Sequence, residues 1–133
     1  MKKIFCIILV LALSLCFVCC KAPNNDDKTS QDYITIKEVA AEGDKTLIKV
    51  EYMLSAFEEG EIMVGCKDPA TKEDYIIFET EERVVVIKKG KGEYVFTIET
   101  AQIISDELCA DLSEYPHPST WEPIATDYFY IGN

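Results

Sequence analysis

From residue 33 onward, apolar and polar residues alternate in short runs, with the two-residue period of a half-buried β-strand. The run TLIKVEYML (46–54) shows this period most clearly, because every second residue from Ile48 to Leu54 lies on one face. Glycines, prolines and charged clusters separate the runs, so the pattern predicts a series of short strands. The other runs are YITIKEV (33–39), EIMVGC (61–66), YIIFET (75–80), RVVVIK (83–88), EYVFTIET (93–100) and ATDYFYI (125–131).

One segment, residues 103–116, fits two kinds of secondary structure. Ile104, Leu108 and Leu112 recur every four residues, as they would on one face of a helix. Leu108, Ala110 and Leu112 also alternate, as they would in a strand. We favour the strand, because every neighbouring run has the strand pattern and the sheet would otherwise lose a central member.

Together these runs predict an all-β domain over residues 33–133, an antiparallel two-sheet β-sandwich of seven or eight strands. EEG (58–60) separates the run 46–54 from the run 61–66, and KGKG (89–92) is predicted to be a hairpin turn. Turn signals every 8–12 residues are typical of sandwich folds. The order of long and short strands resembles an immunoglobulin-like or fibronectin-type domain, although the Cys…Trp…Cys spacing of antibody domains is absent.

The first nineteen residues have the pattern of an export signal. Lys2 and Lys3 precede an uncharged, mainly apolar run of seventeen residues, Ile4 to Cys20, and a polar segment follows. We therefore predict a signal peptide over 1–19 and a flexible tether over 20–32. An apolar run of this length is at the lower limit for crossing a bilayer about 30 Å thick, so an uncleaved anchor helix is the alternative.

Cys20 ends the apolar run and is followed by polar residues, which resembles the lipobox of bacterial lipoproteins. The residues before it, Phe17, Val18 and Cys19, depart from the family's preference for Leu at −3 and a small residue at −1. The resemblance implies lipid attachment at Cys20 and anchoring on the extracytoplasmic side of a bacterial membrane. Plain secretion after cleavage at Ala22 is a further alternative.

The charge of the chain limits its partners. Without residues 1–19, eleven basic and 24 acidic residues remain, a net charge of −13. A surface of this sign repels nucleic acid and anionic lipid head groups, so we predict no nucleic-acid partner. The simplest interpretation of the charge is a well-solvated surface.

Only two cysteines, Cys66 and Cys109, lie outside the predicted signal. An exported domain allows them to form a disulfide. Strand alternation, however, points Cys66 inward with Ile62 and points Cys109 outward, so we favour free thiols. No Cys/His spacing indicates a zinc site, and no cofactor is expected.

The segment LSEYPHPSTWEP (112–123) contains three of the five prolines, the only histidine and the only tryptophan. Tyr115, His117 and Trp121 are the candidate ligand-binding residues, because aromatic rings offer rigid contact area. The alternative is that Trp121 closes one end of the fold. This segment also resembles the closing segment of exported bacterial β-sandwich proteins, a resemblance that implies no activity.

No catalytic site is predicted. A serine nucleophile would need a positioned base, and His117 has no such motif around it. The glutamate clusters at 58–61 and 79–82 leave glycoside hydrolysis only as a remote alternative. The expected function is a non-enzymatic envelope module that binds a protein or a glycan, and the alternative is a structural or accessory lipoprotein without a ligand.

Overall fold

The computed structural model describes residues 31–82, 84–117 and 122–132. The predicted signal peptide 1–19, the lipid-attachment residue Cys20 and most of the tether lie outside these residues. Trp121 and its neighbours Pro118, Ser119 and Thr120 also lie outside them. Among the described residues, no helix is long and apolar enough to cross a membrane.

The described chain is all-β and antiparallel, as predicted, and its only helical element is a single 3-10 turn. The ambiguous segment is a strand over Glu107–Glu114, which confirms the strand assignment. The strands are β1 (Tyr33–Glu42), β2 (Lys45–Lys67), β3 (Tyr75–Ile77), β4 (Val85–Glu99), β5 (Glu107–Glu114) and β6 (Ala125–Tyr130), and the 3-10 turn is Thr100–Gln102.

The six strands form one connected sheet in the order β1-β2-β5-β6, with β3 and β4 also paired to β2. Strand β2 is the centre of the sheet. It pairs with β1 along its first half and β5 along its second half, while β4 follows its other edge. The sheet curls into a half-barrel that brings β1 close to β6. The two separate sheets of a sandwich are therefore not confirmed.

Six strands replace the eight predicted runs because two pairs of runs are continuous. EEG and KGKG are not turns, since β2 and β4 run through them as a long two-stranded ribbon. Leu54 pairs with Gly90 and Glu59 pairs with Lys88, so residues 55–58 of β2 face a single residue of β4. This bulge bends the ribbon, and Gly90 adopts a φ of +116° at the bend.

The apolar core lies on the inner face of the curled sheet. Alternate residues of β2 and β5 supply it, which is the alternation that the sequence predicts. The fully buried apolar side chains include Ile48, Val50, Leu54, Ile62, Val64, Ile98, Leu108 and Leu112. Ile34 and Ile36 of β1 also belong to this core, so the curl brings an edge strand over the centre of the sheet.

Candidate functional site

Two of the three predicted binding residues in the closing segment are described. Tyr115 is 37% exposed, and its backbone N–H donates to the carbonyl of Glu59 at 3.3 Å. The Tyr115–Pro116 peptide bond is cis. Nε2 of His117 forms an ion pair with Oε2 of Glu61. The structure therefore attaches the start of this segment to β2, and the predicted role of Trp121 stays a prediction.

Glu61 belongs to a buried polar cluster on the outer face of the sheet. It is only 3% exposed and lies opposite Ser113 in the β2–β5 ladder. Asp111, two residues earlier on β5, accepts a hydrogen bond from the Thr126 hydroxyl at 2.6 Å. Burial raises the pKa of the Asp111 carboxyl above its ordinary value. The cluster thus places two carboxyl groups where water does not reach them freely.

His117 attaches the start of the segment 112–123 to this cluster. An activated serine forms a hydrogen bond to a base, which is oriented by a third group. Oγ of Ser113 is buried and forms no hydrogen bond within the described part of the chain. The imidazole of His117 lies instead against the buried carboxyl group of Glu61.

In the sequence, Glu61 cannot be distinguished from its acidic neighbours. Glu58 and Glu59 form exposed ion pairs with Lys89 and Lys88, as solvated charges do. Glu61 follows Glu59 by only two residues, but it lies opposite Ser113 of β5 and is buried. The different environments of these three glutamates therefore become apparent only from the pairing of the strands.

Both described cysteines are buried free thiols. Cys66 pairs with Leu108, whereas Cys109 pairs with Gly65, so the two side chains leave the sheet on opposite faces. Cys109 lies on the outer face, yet it is only 2% exposed. Burial raises the pKa of its thiol to about 12, so the thiol stays protonated and poorly reactive near neutral pH.

A second surface, which the sequence pattern alone does not single out, lies at the end of the sheet where β3 begins and β6 ends. Tyr128 and Tyr130 alternate along β6 on one face, and they are 53% and 51% exposed. The Tyr75 ring of β3 lies 5.5 Å from the Tyr128 ring between centroids, at an angle of 35°. We call Tyr75, Tyr128 and Tyr130 the tyrosine face.

Glu107 fixes the tyrosine face in position. It accepts a hydrogen bond from the Tyr75 hydroxyl at 2.5 Å, and the Lys67 ammonium lies 3.0 Å from its other oxygen. These contacts lower the pKa of the Glu107 carboxyl, the Tyr75 hydrogen bond most of all. Burial and the same carboxylate raise the pKa of the Tyr75 hydroxyl. The Tyr75 side chain is therefore fixed through its hydroxyl as well as through its backbone in β3.

A glycine makes room for β3 beside this surface. A Cβ at Gly65 would lie 2.4 Å from the carbonyl oxygen of Ile76, which is too close for any side chain. The missing side chain lets the β3 backbone approach β2 closely, and β3 carries Tyr75. Alternation in ATDYFYI could have placed Tyr128 and Tyr130 on one face, but only the topology brings Tyr75 beside them.

The described residues contain no group of three or more His, Cys, Asp or Glu side chains that could hold a metal ion. In the acidic loop before β3, the Asp68 carboxylate accepts a hydrogen bond from the backbone instead. Oδ1 of Asp68 accepts from the N–H of Ala70 at 2.8 Å, and the Asp68 N–H donates to the Asp74 carbonyl at 2.8 Å. These contacts form a compact turn.

No protein-family model matches the chain, and no curated protein matches it. Among solved structures, the chain is similar to part of a β-glucosidase from Kluyveromyces marxianus, with 13% sequence identity and a TM-score of 0.40. The similarity covers 77% of this chain and 14% of that chain, so this chain spans about a seventh of the other's length. A similarity of this size carries no argument about fold or function.

Proposed function

We propose that this protein is an exported, lipid-anchored interaction module of a bacterial cell envelope, without enzymatic activity. The observation that carries the proposal is the tyrosine face. Three tyrosines converge on one surface, and two of them expose about half of their side chains to solvent. Aromatic side chains with a fixed orientation lose little entropy on binding, and they dominate the energetics of many recognition surfaces.

Sequence features support the location. Lys2, Lys3 and the apolar run that ends at Cys20 have the order of an export signal, and Cys20 is the proposed lipid-attachment site. The polar tether 20–32 would hold the domain away from the membrane, and the membrane is then a partner through the lipid. An uncleaved anchor would place the domain on the same side.

The proposal keeps an immunoglobulin-like β-sandwich as the finer description of the domain. The bend at residues 55–58 turns one half of the β2–β4 ribbon relative to the other, which is how one connected sheet can form two packed layers. The core side chains of both halves belong to one cluster, which supports this arrangement.

The test is a binding screen of the full chain in detergent against a glycan array and against proteins of the bacterial envelope. The double variant Tyr128→Ser/Tyr130→Ser is expected to weaken any ligand found by about tenfold or more. Val95→Ser is the matched control, because Val95 is 49% exposed on a different part of the sheet. Tyr115→Ser tests the closing segment separately. If no ligand depends on the tyrosine face, a purely structural or accessory role replaces this proposal.

The anchor has a separate test. Cells grown with a clickable fatty acid should label the wild-type chain and the Cys19→Ser variant, but not the Cys20→Ser variant. Equal labelling of both variants would overturn lipid attachment at Cys20. An unlabelled wild-type chain that remains in the membrane fraction would indicate the uncleaved anchor.

A further inference from the structure

We infer that the ligand of the tyrosine face is an extended, basic polypeptide segment. This inference rests on the proposed function, because it names the class of partner for the same surface. Three features of the surface carry it: the interval between the tyrosines, the carboxylates around them, and the charge of the whole domain.

The interval between the exposed tyrosines matches an extended chain. Tyr128 and Tyr130 are alternate residues of β6, so their attachment points are about 7 Å apart. An extended peptide that lies along β6 presents its same-facing side chains at this same interval. Each tyrosine ring can therefore contact one side chain of the peptide, and Tyr75 reaches Tyr128 from across the sheet, which widens the contact at Tyr128.

Two exposed carboxylates precede residues of this surface directly in the sequence, and their charge favours a cationic ligand. Asp74 is exposed and directly precedes Tyr75, and Asp106 is exposed and directly precedes Glu107, which lies opposite Tyr130. The backbone carbonyl of Asp106 also accepts from the N–H of Ile131 at 2.8 Å, which fixes that residue at the end of β6.

The one lysine that lies within this network does not offset the negative charge. Lys67 is already paired with Glu107. Lysine and arginine side chains of a ligand could stack on the tyrosine rings and reach the carboxylates with their charged ends. A neutral glycan could stack on the rings and donate hydroxyl hydrogen bonds to the carboxylates, but it would gain no charge–charge attraction, so the surface favours the basic peptide.

The net charge of the domain also favours a cationic ligand, and it acts over longer distances. Residues 31–133 contain nine basic and 22 acidic side chains, a net charge of −13. A field of this sign steers cations toward the domain, while the tyrosine face provides the specific contact. Steering alone would not select one surface, so the test must separate the local carboxylates from distant ones.

The experiment uses the full chain in detergent and a fluorescent twelve-residue peptide of alternating lysine and threonine, with binding followed by fluorescence anisotropy. An alternating glutamate and threonine peptide is the control ligand. The basic peptide is expected to bind and the acidic one is not. Tyr128→Ser/Tyr130→Ser should weaken binding by about tenfold or more, and Asp74→Asn/Asp106→Asn by about threefold. Added salt should weaken binding of the basic peptide.

Glu38→Gln/Glu42→Gln is the matched charge control, because both glutamates are exposed on β1 and the variant removes the same charge. An equal loss in this variant would overturn the inference, since binding would then reflect diffuse charge. Absence of binding by the basic peptide would overturn it as well. If glycans instead bind and depend on Tyr128 and Tyr130, this inference fails while the proposed function stands. If no ligand depends on the tyrosine face, both fail.

Discussion

At the scale of single residues, the two buried carboxyl groups on the outer face differ in how they are compensated. Glu61 has the imidazole of His117 beside it. Among the described residues, Asp111 has a hydrogen bond from the hydroxyl of Thr126, a neutral donor, and burial raises the pKa of its carboxyl group. A buried carboxylate without a cation disfavours the folded state whenever it is ionised. The folding free energy should therefore depend on pH through Asp111.

The first prediction concerns Asp111→Asn in a chain of residues 31–133, which contains the whole described core. Because the folded-state pKa of Asp111 is raised, the unfolded chain loses this proton first as pH increases, and stability falls through that range. Asparagine keeps an acceptor for Thr126 but cannot ionise. The variant should be more stable than wild type at pH 7, and the difference should disappear at about pH 3, where aspartate is protonated. Urea melts at both pH values measure this.

Glu107→Gln is the matched control, because its effect on stability at pH 7 should be opposite to that of Asp111→Asn. The pKa of Glu107 is lowered in the folded state by Tyr75 and Lys67, so this carboxylate stabilises the fold above its unfolded pKa. The variant should be less stable than wild type at pH 7 and should converge with it as pH falls through the folded-state pKa. If Asp111→Asn were less stable than wild type at pH 7, burial of the ionised Asp111 carboxylate would not destabilise the folded state as we expect.

At the scale of elements, alternation along the sequence predicted the strands and failed at their interruptions. The runs 46–54 and 61–66 were assigned correctly to strands, because their inward residues repeat at the strand period. The charged and glycine-containing stretches between runs have the composition of turns, yet both lie inside one ladder: Glu59 and Gly60 pair with Lys88 and Ile87, and residues 90–92 pair with residues 52–54. A turn prediction rests on the composition of a single segment. In the structure both segments pair within the β2–β4 ladder, and the ribbon bends there instead of reversing direction.

The same limit applies to the candidate sites. Tyr115 and His117 could be selected because prolines and rare residues make their segment conspicuous. Glu61 and Tyr75 could not, because their roles depend on the strands that lie beside them. Local pattern therefore predicts which residues alternate, whereas burial of a charged residue and convergence of rings from β3 and β6 depend on topology.

The second prediction concerns Gly90, which lies at the bend of the ribbon. Its φ of +116° is a conformation that side chains with a Cβ rarely adopt. Gly90→Ala should lower the free energy of unfolding by about 1–3 kcal/mol through backbone strain, although no atom lies within 4 Å of the added Cβ. Thr97→Ala, an exposed position on the same strand, should change it by less than about 0.5 kcal/mol. Equal stability of Gly90→Ala and wild type in a urea melt would show that the bend tolerates other backbone conformations.

At the scale of the whole molecule, the curl of the sheet is stabilised where its two ends meet. The β1–β2 register shifts between Ile36 and Glu38, which places a bulge at Lys37 while pairing continues on both sides of it. The N–H of Ile36 instead donates to Oδ2 of Asp127 on β6 at 2.8 Å. One side chain thus joins the first strand to the last, and it supplies a partner for a backbone group of the edge strand.

The third prediction tests this junction with Asp127→Ala in residues 31–133. The variant leaves the Ile36 amide without its acceptor in a partly buried site, so the free energy of unfolding should fall by about 1–3 kcal/mol. In hydrogen exchange, the Ile36 amide should lose more protection than the global loss of stability accounts for. The Val50 amide is the internal control, because Val50 pairs with strands on both sides and should follow the global change. Asp127→Asn keeps an acceptor oxygen and should preserve most of the protection at Ile36. If Ile36 exchanges at the same rate in Asp127→Ala and Asp127→Asn, the curl does not depend on this hydrogen bond and must come from the bent β2–β4 ribbon alone.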